Sequence, residues 1–283
     1  QKELKDGEQQ RALLSAALSQ VDARLKGEEP EEKALERKCA VEKMDQAAAE
    51  EERIMLQSWP SLESPRRHWL RVFDGTDGSS LSRVDRVRFS RDPDSSLDGT
   101  TSLTYGDKQS SLTYGEVSHF CVFMKLLSDA LALGNVARDG SATFADLGCG
   151  IGKALLAAAL LPLEKSTSGQ PASAPRSYFA QCTGIEFLPS LAAAATSASK
   201  RLQAARPISK INVICGDILD SEIEWCTCDF IFAASTCFSV ALLKGLLERA
   251  QALRPGAVLV TFQGPPKDLG GGNLLLDAFR HES

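Results

Sequence analysis

The stretch Phe144-Ala145-Asp146-Leu147-Gly148-Cys149-Gly150-Ile151-Gly152-Lys153 decides how this chain is read. An apolar run ends on an acid, glycines then alternate with other residues, and a leucine- and alanine-rich run follows. Glycines allow a tight turn and let a ligand approach the backbone closely. A helix starting just after such a turn offers free N–H groups and a partial positive charge, which suits a carboxylate. Asp146, at the strand end, can pair with an amino group and lie near a sulfonium. A dinucleotide site would space its glycines G-x-G-x-x-G and run apolar into the first of them. Here the spacing is G-x-G-x-G, with Asp146 two residues ahead of Gly148. The pattern favours S-adenosyl-L-methionine, with Asp146, Gly148, Gly150, Gly152 and Lys153 as cofactor-binding candidates.

Outward from the loop, apolar strands alternate with helices. Strands are expected at 142–147, 178–185, 211–215, 229–234 and 257–263, and helices at 151–161, 189–204 and 238–253. Such alternation predicts a parallel sheet covered on both faces, a doubly wound, Rossmann-like α/β domain. An apolar helix over 117–133 leads into the first strand, with His119 read as structural, and 162–176 reads as a surface insertion. Ligands in these sheets bind at the carboxyl ends of the strands. The second strand ends Thr183-Gly184-Ile185-Glu186, where Glu186 is placed to accept both hydroxyls of a ribose. The third ends Cys215-Gly216-Asp217-Ile218, where Asp217 can accept from the adenine amino group and Ile218 can pack on the ring. One acid is weak evidence; acids on successive strand ends, in cofactor order, are strong. The fourth strand runs into Ala234-Ser235-Thr236-Cys237-Phe238, the region that faces the transferred methyl in methyltransferases. Phe238 is a candidate wall for an acceptor channel. Ser235 and Thr236 either orient a nucleophile or cap the next helix.

The rest of the chain is read from composition and period. Net charge is −5 with 43% hydrophobic residues, ordinary for a globular protein, so any nucleic acid must meet a local basic patch. The eight cysteines include no C-x-x-C pair, and they read as reduced, mostly buried thiols without a metal. No signal peptide and no membrane-spanning stretch is seen. Gln1 at the start reads as a trimming product. Leu14, Leu18, Val21 and Leu25, then Val41, Met44, Ala48 and Met55, predict two helices over 1–60 separated at Pro30. They form either a coil packed within the protein or a partner-binding arm. Residues 61–110 read as a loop-rich connector carrying Arg66, Arg67, Arg71, Arg83, Arg86, Arg88 and Arg91. These arginines suit either phosphate and acidic partners or a solvated surface. A short repeat pairs Thr101–Asp107 with Ser110–Glu116, and the catalytic domain is taken as 111–283.

With these segments placed, the chain resembles the disruptor-of-telomeric-silencing family, non-SET methyltransferases of a lysine in the histone H3 core. The resemblance spans about Ser111 to Gln263 and is that of a compact member, as expected of a protozoan. It rests on Tyr114-Gly115-Glu116 before an apolar helix, Asp146 to Gly152, Gly184-Ile185-Glu186 and Gly216-Asp217. It implies that Tyr114, Gly115 and Glu116 form a loop closing over the cofactor and reaching the catalytic centre. It also implies a nucleosomal histone H3 substrate, DNA contact through the arginines, and a nuclear location. Where the family carries Asn-Asn-Phe-x-Phe, this chain has Ala234 to Phe238; Lys153 replaces a usual Gln and Ile218 a usual Phe. With 20 residues after Gln263, the antiparallel hairpin that closes this fold is expected to be missing.

The implied reaction is in-line attack of a neutral amine on a sulfonium methyl, catalysed largely by positioning and charge environment. A lysine with an ordinary pKa of about 10.4 must first lose a proton, which desolvation in an apolar channel favours. Other readings are a methyltransferase of another protein or small molecule, and a cofactor-binding scaffold without catalysis.

Overall fold

The computed structural model describes residues 31–91, 117–163, 177–206 and 208–262. The expected helix over Leu14–Leu25, the repeat with Tyr114-Gly115-Glu116, most of the insertion and the residues after 262 lie outside these. The chain divides into two compact units, Gln1–Arg53 and Ile54–Ser283. Among the described residues, helix α1 spans Glu31–Ser58. In the first unit, Arg53 pairs with Glu50 at 2.6 Å on an exposed face.

Residues 61–91 correct the expectation of a loop-rich connector. A 3-10 turn (Pro60–Leu62) is followed by helices α2 (Glu63–Phe73) and α3 (Gly78–Arg91). The arginines mask a sparse apolar face: Pro65, Trp69, Val72 and Phe73 recur at helical spacing and are all buried. Asp77 starts α3 by accepting from the Ser79 and Ser80 N–H groups at 3.0 and 3.3 Å.

Helix α4 (Phe120–Leu133) leads into a sheet of β1 (Ala142–Leu147), β2 (Phe179–Glu186), β3 (Lys210–Cys215), β4 (Phe230–Ala233) and β5 (Val258–Thr261). The strand order is β3-β2-β1-β4-β5, and every pairing is parallel. Helices α5 (Lys153–Ala159), α6 (Pro189–Ala205) and α7 (Val240–Ala250) connect the strands, close to the expected bounds. The chain starts in the middle of the sheet, runs outward to β3, then returns to the far side of β1. That reversal leaves a crevice above the carboxyl ends of β1 and β4.

Strand alternation divides the core into two layers. Phe144, Phe179, Phe230 and Phe232 belong to one, with residues of α2, α4, α5 and α6. Ala145, Leu147, Ile185, Ile231 and Ala233 belong to the other, with α7 and Trp225. At the opposite end of the sheet, Asp229 accepts from the Thr143 N–H at 2.6 Å and its hydroxyl at 2.9 Å, and it pairs with Arg254. This ties β1 to β4.

Helix α2 is part of this core. The Trp69 indole donates to the Lys153 carbonyl at 2.8 Å, and its ring packs on Phe73 and Phe120 at 5.4 and 5.6 Å. Arg201 of α6 donates to the Val72 carbonyl at 2.6 Å. Trp69→Ala is therefore expected to cost about 3–5 kcal/mol of unfolding free energy by denaturant titration. Trp69→Phe, which keeps a ring but loses the indole hydrogen bond to the Lys153 carbonyl, should cost about 0.5–1.5 kcal/mol.

Candidate cofactor site

The glycine loop turns through left-handed backbone at Gly148, Gly150 and Gly152, with φ of 74°, 55° and 92°. Residues with a Cβ rarely adopt this region, which is why glycine recurs at these positions. The Gly148 and Cys149 N–H groups both donate to the Ile185 carbonyl at 2.9 Å, so the loop is pinned to the end of β2. Gly184 lets this happen. A Cβ there would lie 2.7 Å from Leu155 and 2.8 Å from the Cys149 sulfur. Burial pushes the Cys149 thiol well up, so this sulfur serves packing.

Glu186 is buried and completes the loop. One carboxylate oxygen accepts from the Gly150 N–H at 2.8 Å and the other from the Leu188 N–H at 2.8 Å. Burial raises its pKa, and the backbone donors oppose that shift. The Phe187 N–H is a third backbone donor to this carboxylate, whose four lone-pair sites leave room for a further one.

Asp146 is 1% exposed, and its Oδ2 has no hydrogen-bond partner among the described residues. Burial pushes its carboxyl up to about 8; the Leu155 N–H opposes the shift and the charge of Glu186 adds to it. A buried carboxylate oxygen without a donor is costly, and a ligand ammonium is the group that would satisfy it.

The other candidates have more varied surroundings. Asp217 is half-buried and accepts from the Leu219 N–H at 2.8 Å. Ile218 lies in the core layer with Trp225. The Ile218 carbonyl accepts from the Trp225 indole at 2.8 Å and from Arg249 at 2.6 Å. Arg249 also donates to the Ile223 carbonyl at 2.9 Å, clamping the loop after β3. The Lys153 ammonium lies 5.9 Å from the centre of the Trp69 ring, which it faces.

After β4, Ser235 is fully buried, and its hydroxyl accepts from the Phe262 N–H at 3.1 Å. The capping role expected of Ser235 or Thr236 falls to Ser239, whose hydroxyl accepts from the Leu242 N–H at 3.1 Å. A 3-10 turn over Ser235–Cys237 delays the helix and moves its cap along the chain. Thr236 is exposed, and its hydroxyl lies 3.8 Å from the Cys237 sulfur. Phe238 closes on the glycine loop: a Cβ on Gly148 would come within 3.1 Å of its ring. Thus β1 and β2 bring Asp146, the glycines and Glu186 together, and β4 delivers Phe238 to them. Tyr114, Gly115 and Glu116 lie outside the described residues. Sequence reading missed Trp69, Asp85 and Arg249, whose partners are 84, 105 and 31 residues away. No local motif marks such pairings.

Residues 145–261 match a family described as a methyltransferase domain. A comparison with curated proteins found no match. Among solved structures, a S-adenosylmethionine-dependent methyltransferase from Clostridium acetobutylicum is 15% identical with a TM-score of 0.37, over 50% of this chain and 49% of that one. One from Thiobacillus denitrificans, in complex with S-adenosyl-L-homocysteine, is 16% identical with a TM-score of 0.32, over 58% and 55%. The YcgJ protein of Bacillus subtilis is 13% identical with a TM-score of 0.34, over 50% and 49%. The chain spans about half the length of these structures. The parallel sheet and the glycine loop are those of the class I, Rossmann-like fold of S-adenosylmethionine-dependent methyltransferases, preceded by helices, and the family match falls on the same segment. S-adenosyl-L-methionine is its cofactor, and the unpartnered oxygen of Asp146 fits the cofactor's ammonium.

A pH dependence follows from Asp146. Its folded carboxyl holds a proton below about 8, and pairing with an ammonium requires that proton to leave. Affinity for S-adenosyl-L-homocysteine should therefore rise from pH 6 towards 8, by at most about tenfold per unit. Calorimetry across that range checks it, and Asp146→Asn should both weaken binding and flatten the rise.

Proposed function

We propose that this chain transfers a methyl group from S-adenosyl-L-methionine to a lysine in the globular core of histone H3, on the intact nucleosome. The carrying observation for the cofactor half is the buried pair Asp146 and Glu186 around the glycine loop. In this reading Asp146 holds the ammonium, Glu186 the ribose hydroxyls and Asp217 the adenine amino group. The cofactor supplies an electrophilic methyl on a sulfonium. The chain's own work is then to orient the acceptor amine, exclude water from it and favour its neutral form. Phe238, packed against Gly148, is placed to wall the acceptor path.

Support for the histone half comes from Tyr114-Gly115-Glu116 and from the arginines. Arg67, Arg71 and Arg83 are exposed on α2 and α3, and Arg86, Arg88 and Arg91 continue α3. Exposed Arg on rigid helices suits DNA phosphates or an acidic histone surface. The nucleus is the corresponding location. A second reading, methylation of another protein or a small molecule, is favoured by Ala234 to Phe238, which lacks the family's Asn-Asn-Phe-x-Phe.

Radiolabelled methyl transfer with products mapped by mass spectrometry separates these readings. The expected result is transfer to nucleosomal H3 and little to the isolated peptide, abolished by Gly150→Arg. Equal activity on peptide and nucleosome overturns the nucleosome-surface part. Turnover on another acceptor without histone methylation establishes the second reading, and full activity of Gly150→Arg contradicts the site.

A further inference from the structure

Helix α6 begins just beyond Glu186, and its own sequence cannot cap it. Its N-cap is Leu188, which has no side-chain acceptor, and Pro189 follows with no N–H. The next amide belongs to Ser190, and its partner comes from far along the chain. Asp85 of α3 accepts from the Ser190 N–H at 2.8 Å and from the Ser190 hydroxyl at 2.7 Å. Asp85 is 2% exposed, so this is a buried, two-point contact.

The same turn is held by Glu186. The Leu188 N–H donates to Glu186 at 2.8 Å, while the Leu188 carbonyl accepts from the Ala192 N–H at 3.0 Å. Two buried carboxylates therefore fix one short turn, and the free end of Glu186 reaches the Gly150 N–H. The positive end of the α6 dipole lies where both are placed and offsets their repulsion. Loss of the Asp85 contact would leave the Ser190 N–H without its acceptor and release the turn from which Glu186 projects.

We propose that Asp85 is a positioning residue of the cofactor site, capping α6 through Ser190 so that Glu186 is aimed at Gly150 and the cofactor ribose. The assignment rests on the reading of Glu186 as the ribose acceptor. It gives the helices before the sheet a defined part in cofactor binding: Trp69 anchors the start of α5 and Asp85 the start of α6. Burial raises the proton affinity of Glu186, and the charge of Asp85 adds to it in a small way. Asp146, Cys149 and Cys215 are the other titratable groups in that electrostatic neighbourhood.

Calorimetry with S-adenosyl-L-homocysteine on the full chain, well below its melting midpoint, tests this. Asp85→Ala is expected to weaken binding about tenfold. Asp85→Asn, which keeps an acceptor for the Ser190 N–H, is expected to restore affinity to within about threefold of wild type. In a Glu186→Gln background, Asp85→Ala should cost little more, because both act on one contact. Unchanged affinity in Asp85→Ala with only a lowered melting temperature overturns the proposal, as does full additivity with Glu186→Gln. Should the alanine variant not fold, Ser190→Ala deletes the hydroxyl contact alone and is expected to weaken binding about threefold; no change overturns the proposal. Failure of wild type to bind overturns the cofactor reading itself, and the unmutated protein tells that outcome apart.

Discussion

A single buried carboxylate, that of Glu186, holds the site together. It joins the glycine loop after β1 to the turn opening α6, through the Gly150 and Leu188 N–H groups. Both are backbone donors outside any strand or helix ladder, so no regular backbone partner is available to them. A buried charge is tolerated only when hydrogen bonds satisfy it, and here the bonds that satisfy the charge also set the shape of the loop. The left-handed glycines, the small Gly184 beneath Cys149, and the Ile185 carbonyl accepting two N–H groups all follow from bringing that loop against β2.

Sheet topology determines which other groups can join it. Because β1 is central and β4 returns beside it, the loop after β4 meets the glycine loop, and Phe238 packs on Gly148. The layer of α2, α4, α5 and α6 supports the cofactor side from below. The contacts of Trp69 on the Lys153 carbonyl and of Asp85, from α3, on Ser190 fall at the first turns of the two helices that leave the cofactor-facing strands. The arginine-bearing helices thus combine an exposed basic face with a buried face that braces the site. Arg249 does similar work on the other layer, where its guanidinium gathers the Ile218 and Ile223 carbonyls and stacks on Trp225 at 5.1 Å. Its forked geometry allows one side chain to hold several backbone groups at once.

Much of this was legible along the chain. The central strands β1 and β4 lie on continuous apolar runs, since a doubly covered parallel strand has no polar face to break its pattern. The edge strand β3 carries Lys210 and Asn212 and buries none of its residues. The glycine loop, Asp146 and Glu186 were legible because each lies at a strand end with its own local signature. The helices over 61–91 escape a sequence reading because the arginines obscure the few apolar residues that α2 buries. Ser235 reads equally as a group orienting a nucleophile or as a helix cap. It is buried, and its hydroxyl accepts from the Phe262 N–H, 27 residues later.

Fold class, cofactor loop and the acids at the strand ends are written in local pattern, because period and turn chemistry act over a few residues. Tertiary structure alone decided that the Glu186 carboxylate organises the glycine loop, that Asp146 keeps a buried oxygen open, and that Ser239 caps α7. It alone also joined Asp85 to Ser190 and Trp69 to Lys153. These last depend on where helices pack against a sheet. Such packing is set by the summed burial of many side chains, which no short stretch of sequence encodes.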